Sequence, residues 1–171
     1  MSKPLIFLGS SNQIEYQYRD LCERSGISIA GIIDDDYFGN TTDYEGIPYI
    51  ESEVTADFKK LKEDYDFFIG VNFIPDIPRN VQKKLKFMSI VDQHDLNCVN
   101  LIDPECRIGR NVILGQGLCI GYVSVIENNV TIGDHSQVNT FSYVAHNTVI
   151  GRNCTIQRNV AVLSKIGRAH V

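Results

Sequence analysis

The sequence predicts two folded units, an α/β unit over residues 1–100 and an all-β unit, a parallel β-helix, over residues 101–165. Three observations lead to this prediction. Before residue 100, short apolar runs alternate with charged amphipathic stretches, which is typical of a parallel sheet covered by helices. After residue 108, an aliphatic residue recurs every six positions, and such a fixed period outweighs local propensity. Between the halves, helix-forming residues give way to Gly, Asn, Val and Ile.

The composition excludes several classes of protein. The chain has 171 residues, of which 43% are hydrophobic, and a net charge of −5. An acidic chain without a basic block is poorly suited to nucleic acid, and no apolar run approaches the ~18 residues of a membrane helix. The five cysteines form no CxxC pair, so neither a disulfide framework nor a zinc motif is predicted. We expect a soluble cytoplasmic protein without a nucleic-acid, membrane or metal partner.

The α/β unit is expected to alternate strands with helices. Its apolar runs predict strands over residues 4–9, 28–33, 46–50, 66–71 and 97–102. Its amphipathic stretches predict one helix after Asn12 and others over residues 54–63 and 76–88. Serines before the first helix can cap it, Gly26 ends it, and Pro78 lies in the first turn of the last helix, where proline is tolerated.

Two candidate binding sites lie at the carboxyl ends of these strands, where ligands bind in sheets of this kind. Gly9, Ser10 and Ser11 form the first strand-to-helix turn, and the N–H groups of a helix N-terminus suit a phosphate. Because two glycines of a dinucleotide fingerprint are missing, a plain capped turn is the alternative. Asp34 and Asp35 follow the second strand and could accept hydrogen bonds from a ribose or a base. A solvated turn is the alternative there.

A period of six residues organises the second half. The aliphatic position is filled in every hexad by Ile108, Leu114, Ile120, Ile126, Ile132, Val138, Val144, Ile150, Ile156 and Val162. The next residue is mostly Gly or Ala, which would let the chain turn a corner, and the fifth is small or β-branched, with Leu118 as the exception. Each hexad is therefore interpreted as one short strand plus a corner. Three hexads make an 18-residue coil, and coils stack ~4.8 Å apart.

The whole chain resembles the hexapeptide-repeat nucleotide-sugar acetyltransferases, of the type that acetylates 4-amino sugars or sialic acid. The segments that carry the resemblance are the turn at Gly9, the acid run at Asp34 and Asp35, and residues 65–72, 99–102, 139–140 and 144–151. The resemblance implies a Rossmann-like N-terminal domain that binds a nucleotide sugar, followed by a left-handed parallel β-helix that carries acyltransferase activity. It also implies acetyl-CoA as co-substrate and a homotrimer.

His146 is the main catalytic candidate. It is the third residue of its hexad, so its ring should point outward, where the core does not need it. Imidazole can take the proton of an attacking amine or hydroxyl near neutral pH, and the resemblance places the family's catalytic histidine here. The family usually carries an acid next, where this chain has Asn147, which can orient the ring. A solvated corner histidine is the alternative, and His135, at another corner, is expected to be a surface residue.

The resemblance assigns further residues to the binding sites. Asn72 is expected to contact the substrate, and Asn139, Thr140 and Thr155 are expected to contact acetyl-CoA. Thr155 stands where some relatives place a second histidine. We therefore expect transfer of acetyl from acetyl-CoA to an amino or hydroxyl group of a nucleotide-linked sugar, with His146 as general base. A non-catalytic trimeric scaffold or a nucleotide-sugar-binding module is the alternative function.

The C-terminal residues depart from the hexad pattern. The phase predicts an aliphatic residue at position 168, but Ile166 and Gly167 arrive two residues early. Residues 165–171 also back-translate readily to a common sequencing adapter followed by a stop codon. We expect residues 166–171 to be a non-native tail on an incomplete β-helix, in which His170 has no function. A natural slip before a terminal strand is the alternative.

Overall fold

The computed structural model describes residues 3–11, 14–71 and 78–164. The chain divides into two compact units, Met1–Leu101 and Ile102–Val171. Two of the predicted features, Asn72 and the tail over residues 166–171, lie outside the described residues. No helix within the described ranges is long and apolar enough to cross a membrane.

The first unit is built on a sheet whose strands, within the described residues, are β1 (Leu5–Leu8), β2 (Ile29–Ile33), β3 (Asp43–Tyr44), β4 (Ile47–Glu51) and β5 (Asp66–Ile69). Their order in the sheet is β3-β4-β2-β1-β5. Neighbours pair in parallel except for the β3–β4 hairpin, which the sequence did not predict. The strand predicted over residues 97–102 is reduced to a bridge between Cys98 and Phe67 and a short strand at its end, so that prediction was too long.

Helices cover both faces of this sheet. They are α1 (Arg19–Arg24), which continues a π-helical turn over Ile14–Tyr18, α2 (Phe58–Asp64) and α3 (Pro78–His94). Because successive strand residues point to opposite faces, Phe7 and Phe68 meet Tyr18, with ring centroids 6.2 and 5.0 Å away. On the other face, Phe67 packs with Phe58 of α2.

Two helix boundaries differ from the prediction. The second helix starts at Phe58 because the carboxylate of Asp57 accepts a hydrogen bond from the N–H of Lys60, which makes Asp57 the N-cap. The third helix continues to His94, since Val91 still packs into the core beyond the predicted end at residue 88.

The second unit is a parallel β-helix of two-residue strands. Its strands are β6 (Leu101–Ile102), β7 (Arg107–Ile108), β8 (Ile113–Leu114), β9 (Cys119–Ile120), β10 (Val125–Ile126), β11 (Thr131–Ile132), β12 (Gln137–Val138), β13 (Tyr143–Val144), β14 (Val149–Ile150), β15 (Thr155–Ile156) and β16 (Ala161–Val162). In the described range they form three stacked sheets, β16-β13-β10-β7, β14-β11-β8 and β15-β12-β9-β6. Ile126 pairs with both Ile108 and Val144, so the predicted 18-residue coil is confirmed.

The predicted aliphatic stripe forms the core of the middle coils. Ile120, Ile126 and Val144 are at most 1% exposed, whereas Ile108 is 39% exposed because its strand lies at the edge of a sheet. Small residues at the fifth position have a second role that the sequence did not indicate. The Ser136 hydroxyl donates to the backbone carbonyl of Gly151 at 2.8 Å, and other buried serines at this position make equivalent bonds.

The corners turn at a different residue from the one predicted. Positive φ angles occur two residues after the hexad position that Gly or Ala mostly fills, at Asn111, Gly117, Val123, Asn129, His135, Phe141, Asn147, Asn153 and Asn159. Asn and Gly tolerate this left-handed region best. The glycines instead permit close stacking of coils, since a Cβ on Gly133 would lie 2.7 Å from the backbone nitrogen of Arg152.

Gly133→Ala should therefore destabilise the protein by about 1–3 kcal/mol, the usual cost of overpacking against atoms that cannot move aside. Gly151→Ala is the matched control, because Gly151 occupies the same corner one coil later and its Cβ would have nothing nearer than Cys154 Sγ at 3.7 Å. Denaturant unfolding of both variants measures the difference. Equal free energies of unfolding would contradict the stacking explanation.

Candidate functional site

His146 and Asn147 lie side by side at the corner that follows β13. Both side chains are exposed, and Asn147 Nδ2 lies 2.8 Å from His146 Nδ1. Since an amide nitrogen can only donate, Nδ1 of the imidazole accepts this hydrogen bond. The neutral ring then carries its proton on Nε2.

Asn147 is the end of a column of asparagines at equivalent positions of successive coils. Asn111 Nδ2 donates to Asn129 Oδ1 at 3.1 Å, and Asn129 Nδ2 donates to Asn147 Oδ1 at 3.1 Å. We refer to Asn111, Asn129 and Asn147 as the asparagine column. Each has φ between 57 and 59°, in the left-handed region that asparagine tolerates. In the column, Asn147 Oδ1 accepts from Asn129, while its Nδ2 faces His146.

Glu127 is a neighbour of His146 that the sequence analysis missed. Its carboxylate accepts a hydrogen bond from the backbone N–H of His146 at 2.8 Å. Hydrogen bonds, first from the Tyr143 hydroxyl and then from the His146 backbone, hold the pKa of Glu127 below its usual value, and the charge of His146 acts in the same direction. The same bond to Glu127 raises the pKa of Tyr143. Glu127 precedes His146 by one coil plus one residue, a signal that becomes visible once the register of the coils is known.

The corner opens onto a cleft of about 650 Å³ within the second unit. Its lining includes His146, Asn147, Glu127, Arg107 and Arg110. The two guanidinium groups bring positive charge that suits a phosphate or carboxylate, and the imidazole lies at the same opening. The cleft therefore combines a group able to exchange protons with groups able to hold an anion.

The other residues predicted in the second unit lie away from this cleft. Asn139 is buried and Thr140 half-buried at the corner after β12, and Thr155 lies in β15. None of the three lines the cleft around His146. His135 is 2% exposed, so the expectation of a surface histidine was wrong. Within the described ranges, no cluster of His, Cys, Asp or Glu is arranged to hold a metal.

The first strand-to-helix turn of the α/β unit is closed by internal hydrogen bonds. Gly9 has φ 75°, and a Cβ there would lie 2.4 Å from Val71 Cγ2. Both the backbone N–H and the hydroxyl of Ser10 donate to Asp34 Oδ2, at 2.8 and 2.7 Å. The Ser11 hydroxyl donates to the carbonyl of Gly70 at 2.5 Å. Both serine hydroxyls therefore donate to groups at the carboxyl ends of neighbouring strands.

Asp34 is the centre of a charged cluster at the carboxyl end of β2. It is fully buried, and the Lys83 Nζ lies 2.6 Å from its Oδ1. Lys83 also bonds Asp36 at 2.6 Å, and this bond, followed by those from Arg79, holds the pKa of Asp36 below its usual value. Asp35 accepts a hydrogen bond from Ser52 and lies 3.4 Å from Lys86. The structure thus brings the predicted Gly9 turn and the predicted acids together.

A protein-family model matches part of the second unit. Residues 124–164 match the model described as bacterial transferase hexapeptide (six repeats). These residues are hexapeptide repeats. The matched segment runs from β10 to β16 and includes the His146 corner, and the stacked parallel sheets fit the predicted left-handed β-helix.

Solved structures share the fold over nearly the whole chain. WeeI from Acinetobacter baumannii AYE has a TM-score of 0.73 at 22% identity, over 95% of this chain and 73% of that one. GDP-perosamine N-acetyl transferase from Caulobacter crescentus, solved as a histidine-to-alanine mutant with CoA and GDP-perosamine, has a TM-score of 0.56 at 16% identity, over 94% and 92%. The acetyltransferase domain of PglB from Neisseria gonorrhoeae FA1090, in complex with acetyl coenzyme A, has a TM-score of 0.50 at 17% identity, over 96% and 86%.

A curated relative is similar over a shorter stretch. The bifunctional protein GlmU from Geobacillus thermodenitrificans (strain NG80-2) is 32% identical over 110 residues, which are 60% of this chain and 22% of that protein. The chain therefore spans about a fifth of the length of this relative. Together with the family match, these findings confirm the predicted resemblance to the hexapeptide-repeat transferases.

The Asp34 cluster yields a prediction on stability. Lys83→Met removes the ammonium group that lies 2.6 Å from the fully buried carboxylate of Asp34 and should cost about 3 kcal/mol, as breaking buried ion pairs does. Arg79→Met is the control, because the Arg79 side chain is 73% exposed and such surface pairs contribute about 0–1 kcal/mol. Urea unfolding at neutral pH compares the two variants. A loss for Lys83→Met no larger than for Arg79→Met would show that the hydrogen bonds from Ser10 and from the Asp36 N–H sustain Asp34 without the lysine.

Proposed function

We propose that this protein transfers an acetyl group from acetyl-CoA to an amino group, or alternatively a hydroxyl group, of a nucleotide-linked sugar. The observation that carries the proposal is His146, an imidazole exposed in a cleft of a hexapeptide-repeat β-helix and oriented by Asn147. Two proteins of similar fold support it, one an N-acetyl transferase held with CoA and GDP-perosamine and the other an acetyltransferase domain held with acetyl coenzyme A.

In this proposal, His146 is the general base. Its ring accepts the proton that the acceptor amine loses as the amine attacks the thioester carbonyl, and such a base typically contributes ~10²–10⁴ in rate. Glu127 fixes the backbone of His146 through the N–H bond and places a negative charge near the ring, where the family pattern expects an acid at the next position. Backbone N–H groups near the corner would stabilise the developing oxyanion.

The first unit is proposed as a Rossmann-like domain that binds the nucleotide sugar. Its support is the parallel order of β4, β2, β1 and β5, with Gly9 and Asp34 at adjacent strand ends, the usual ligand position. Because Ser10 and Asp34 are bonded to each other, we expect the nucleotide to contact the exposed rim of the cluster. Arg79 and Lys86 are at least half exposed there and could hold a diphosphate. Asn72 stays a predicted substrate contact.

A trimer would complete the site in the second unit. His146 and the predicted acetyl-CoA residues Asn139 and Thr140 lie at different corners of one β-helix, so a second copy is needed to place both beside one acceptor. Apolar side chains are available for such contacts, since Ile113 is 64% exposed and Val149 77% exposed on the same sheet. A homotrimer of this kind is the predicted state in solution.

Val149→Glu should disrupt this assembly, because it places a charge at an apolar contact while leaving the monomer fold unaffected. Val54→Glu is the matched control, since Val54 is 78% exposed in the other unit. Sedimentation velocity at micromolar concentration should give trimers for the wild type and the control and smaller species for Val149→Glu. A monomeric wild type, or a trimeric Val149→Glu, would contradict the proposed contact.

His146→Ala should lower kcat by roughly 10²–10⁴ with little change in KM for the nucleotide sugar. The ring is exposed and its removal should cost the fold little, while the proton transfer that it performs occurs mainly in the transition state. Release of CoA thiol from acetyl-CoA, measured with amino and hydroxyl acceptors, tests this and separates N- from O-acetylation. His94→Ala controls for the loss of an imidazole elsewhere.

Two results would count against the proposal. Unchanged turnover in His146→Ala would remove the general-base assignment. Binding of nucleotide sugar without turnover in the wild type would favour the non-catalytic binding module.

A further inference from the structure

We propose that the asparagine column is a directional hydrogen-bond wire, whose polarity selects the ring nitrogen of His146 that carries the proton. The catalytic consequence of this inference rests on the proposed function. The tautomer itself is a property of the protein alone and can be measured without any reaction.

The observed polarity points toward His146. Each amide in the column donates through Nδ2 to the next residue, from Asn111 to Asn129, from Asn129 to Asn147 and from Asn147 to the ring Nδ1. With an N–H aimed at it, Nδ1 must present its lone pair. The neutral ring then has its proton on Nε2, and the lone pair on Nδ1 is already engaged by Asn147. In this polarity, the neutral ring has no free lone pair with which to accept a proton from a substrate.

The opposite polarity makes the ring competent as a base. A half-turn of the Asn147 amide would present Oδ1 to an Nδ1–H and free Nε2 as acceptor. Its Nδ2 would then face Asn129, and because two donors cannot pair, the amides of Asn129 and Asn111 must turn as well. No covalent bond of an amide changes. The imidazole gains a proton at Nδ1 from water and returns the Nε2 proton to water.

The column is placed so that its amides can turn. All members of the column are exposed, so water can accept from or donate to the free end at Asn111. Backbone hydrogen bonds hold successive members of the column in register. The N–H of Asn129 donates to the carbonyl of Arg110 at 2.9 Å, and the N–H of Asn147 donates to that of Asn128 at 3.1 Å. The orientation of the side-chain amides is therefore what can change, and the three asparagines change it together.

This coupling makes Asn111 and Asn129 positioning residues for a ring that neither of them bonds. A carboxylate only accepts hydrogen bonds. In Asn111→Asp, the new carboxylate would therefore accept a hydrogen bond from Nδ2 of Asn129. The Oδ1 of Asn129 would then accept from Nδ2 of Asn147, and the Oδ1 of Asn147 would face the ring. The variant should convert His146 to the Nδ1–H form from two coils away.

The test is imidazole nitrogen NMR of the full chain at a pH where His146 is neutral, with its signals assigned by their loss in His146→Ala. We expect an unprotonated Nδ1 in the wild type and a protonated Nδ1 in Asn111→Asp. Asn159→Asp is the matched control, because Asn159 has the same backbone conformation, φ 62°, at a different corner, and it should leave the tautomer unchanged.

A double variant separates the wire from the electric field of the added charge. Asn129→Gly removes the middle amide and keeps the positive φ, which glycine adopts freely. In that background, Asn111→Asp should no longer change the tautomer. An equal change with and without the Asn129 amide would overturn the wire, as would a wild type whose Nδ1 is already protonated.

Kinetics distinguish this inference from the proposed function. If the resting polarity dominates by about tenfold, Asn111→Asp should raise kcat by up to about tenfold, because the competent fraction increases, with KM little changed. A changed tautomer together with an unchanged kcat would support the wire and contradict His146 as the base.

Discussion

Coils of the β-helix stack so closely that a residue with a side chain does not fit at certain corner positions. This stacking occurs at a fixed register, which determines the neighbours of every residue in the second unit. Ile126 lies between Ile108 and Val144, and every other position is aligned in the same way. Equivalent residues therefore form continuous rows, including the aliphatic core, the buried serines and the asparagine column. The surroundings of His146 follow from this alignment, because Glu127 and Asn129 come from the coil beneath it.

The period of six was sufficient to predict the strands, the core row and the exposure of His146, because these depend on local position in the hexad. Features that depend on contacts between coils were not predictable in the same way. Gly133 was interpreted as a turning residue, whereas its lack of a Cβ serves the approach of Arg152. Glu127 was missed because its contact with His146 exists only across a coil boundary.

In the α/β unit, the alternation of apolar runs predicted the principal strands, and the details that differ have long-range causes. Asp34 was expected at the end of a strand, but its complete burial depends on Lys83, which lies 49 residues later. The same lysine bonds Asp36 and so ties α3 to the turn after β2. No pattern near Asp34 indicates this partner, which is why the sequence left open whether the acids are solvated.

The eighteen-residue register also limits how a gene for this protein can change in length. Inserting one complete coil ahead of β10 would return every later residue to its former face and keep His146 above an equivalent row. Inserting a single hexad between β11 and β12 would instead carry His146 to the next face of the β-helix and separate it from Asn129 and Glu127. Descendants of this gene should therefore gain or lose residues here in whole coils, and the number of coils should vary more readily than the spacing within one.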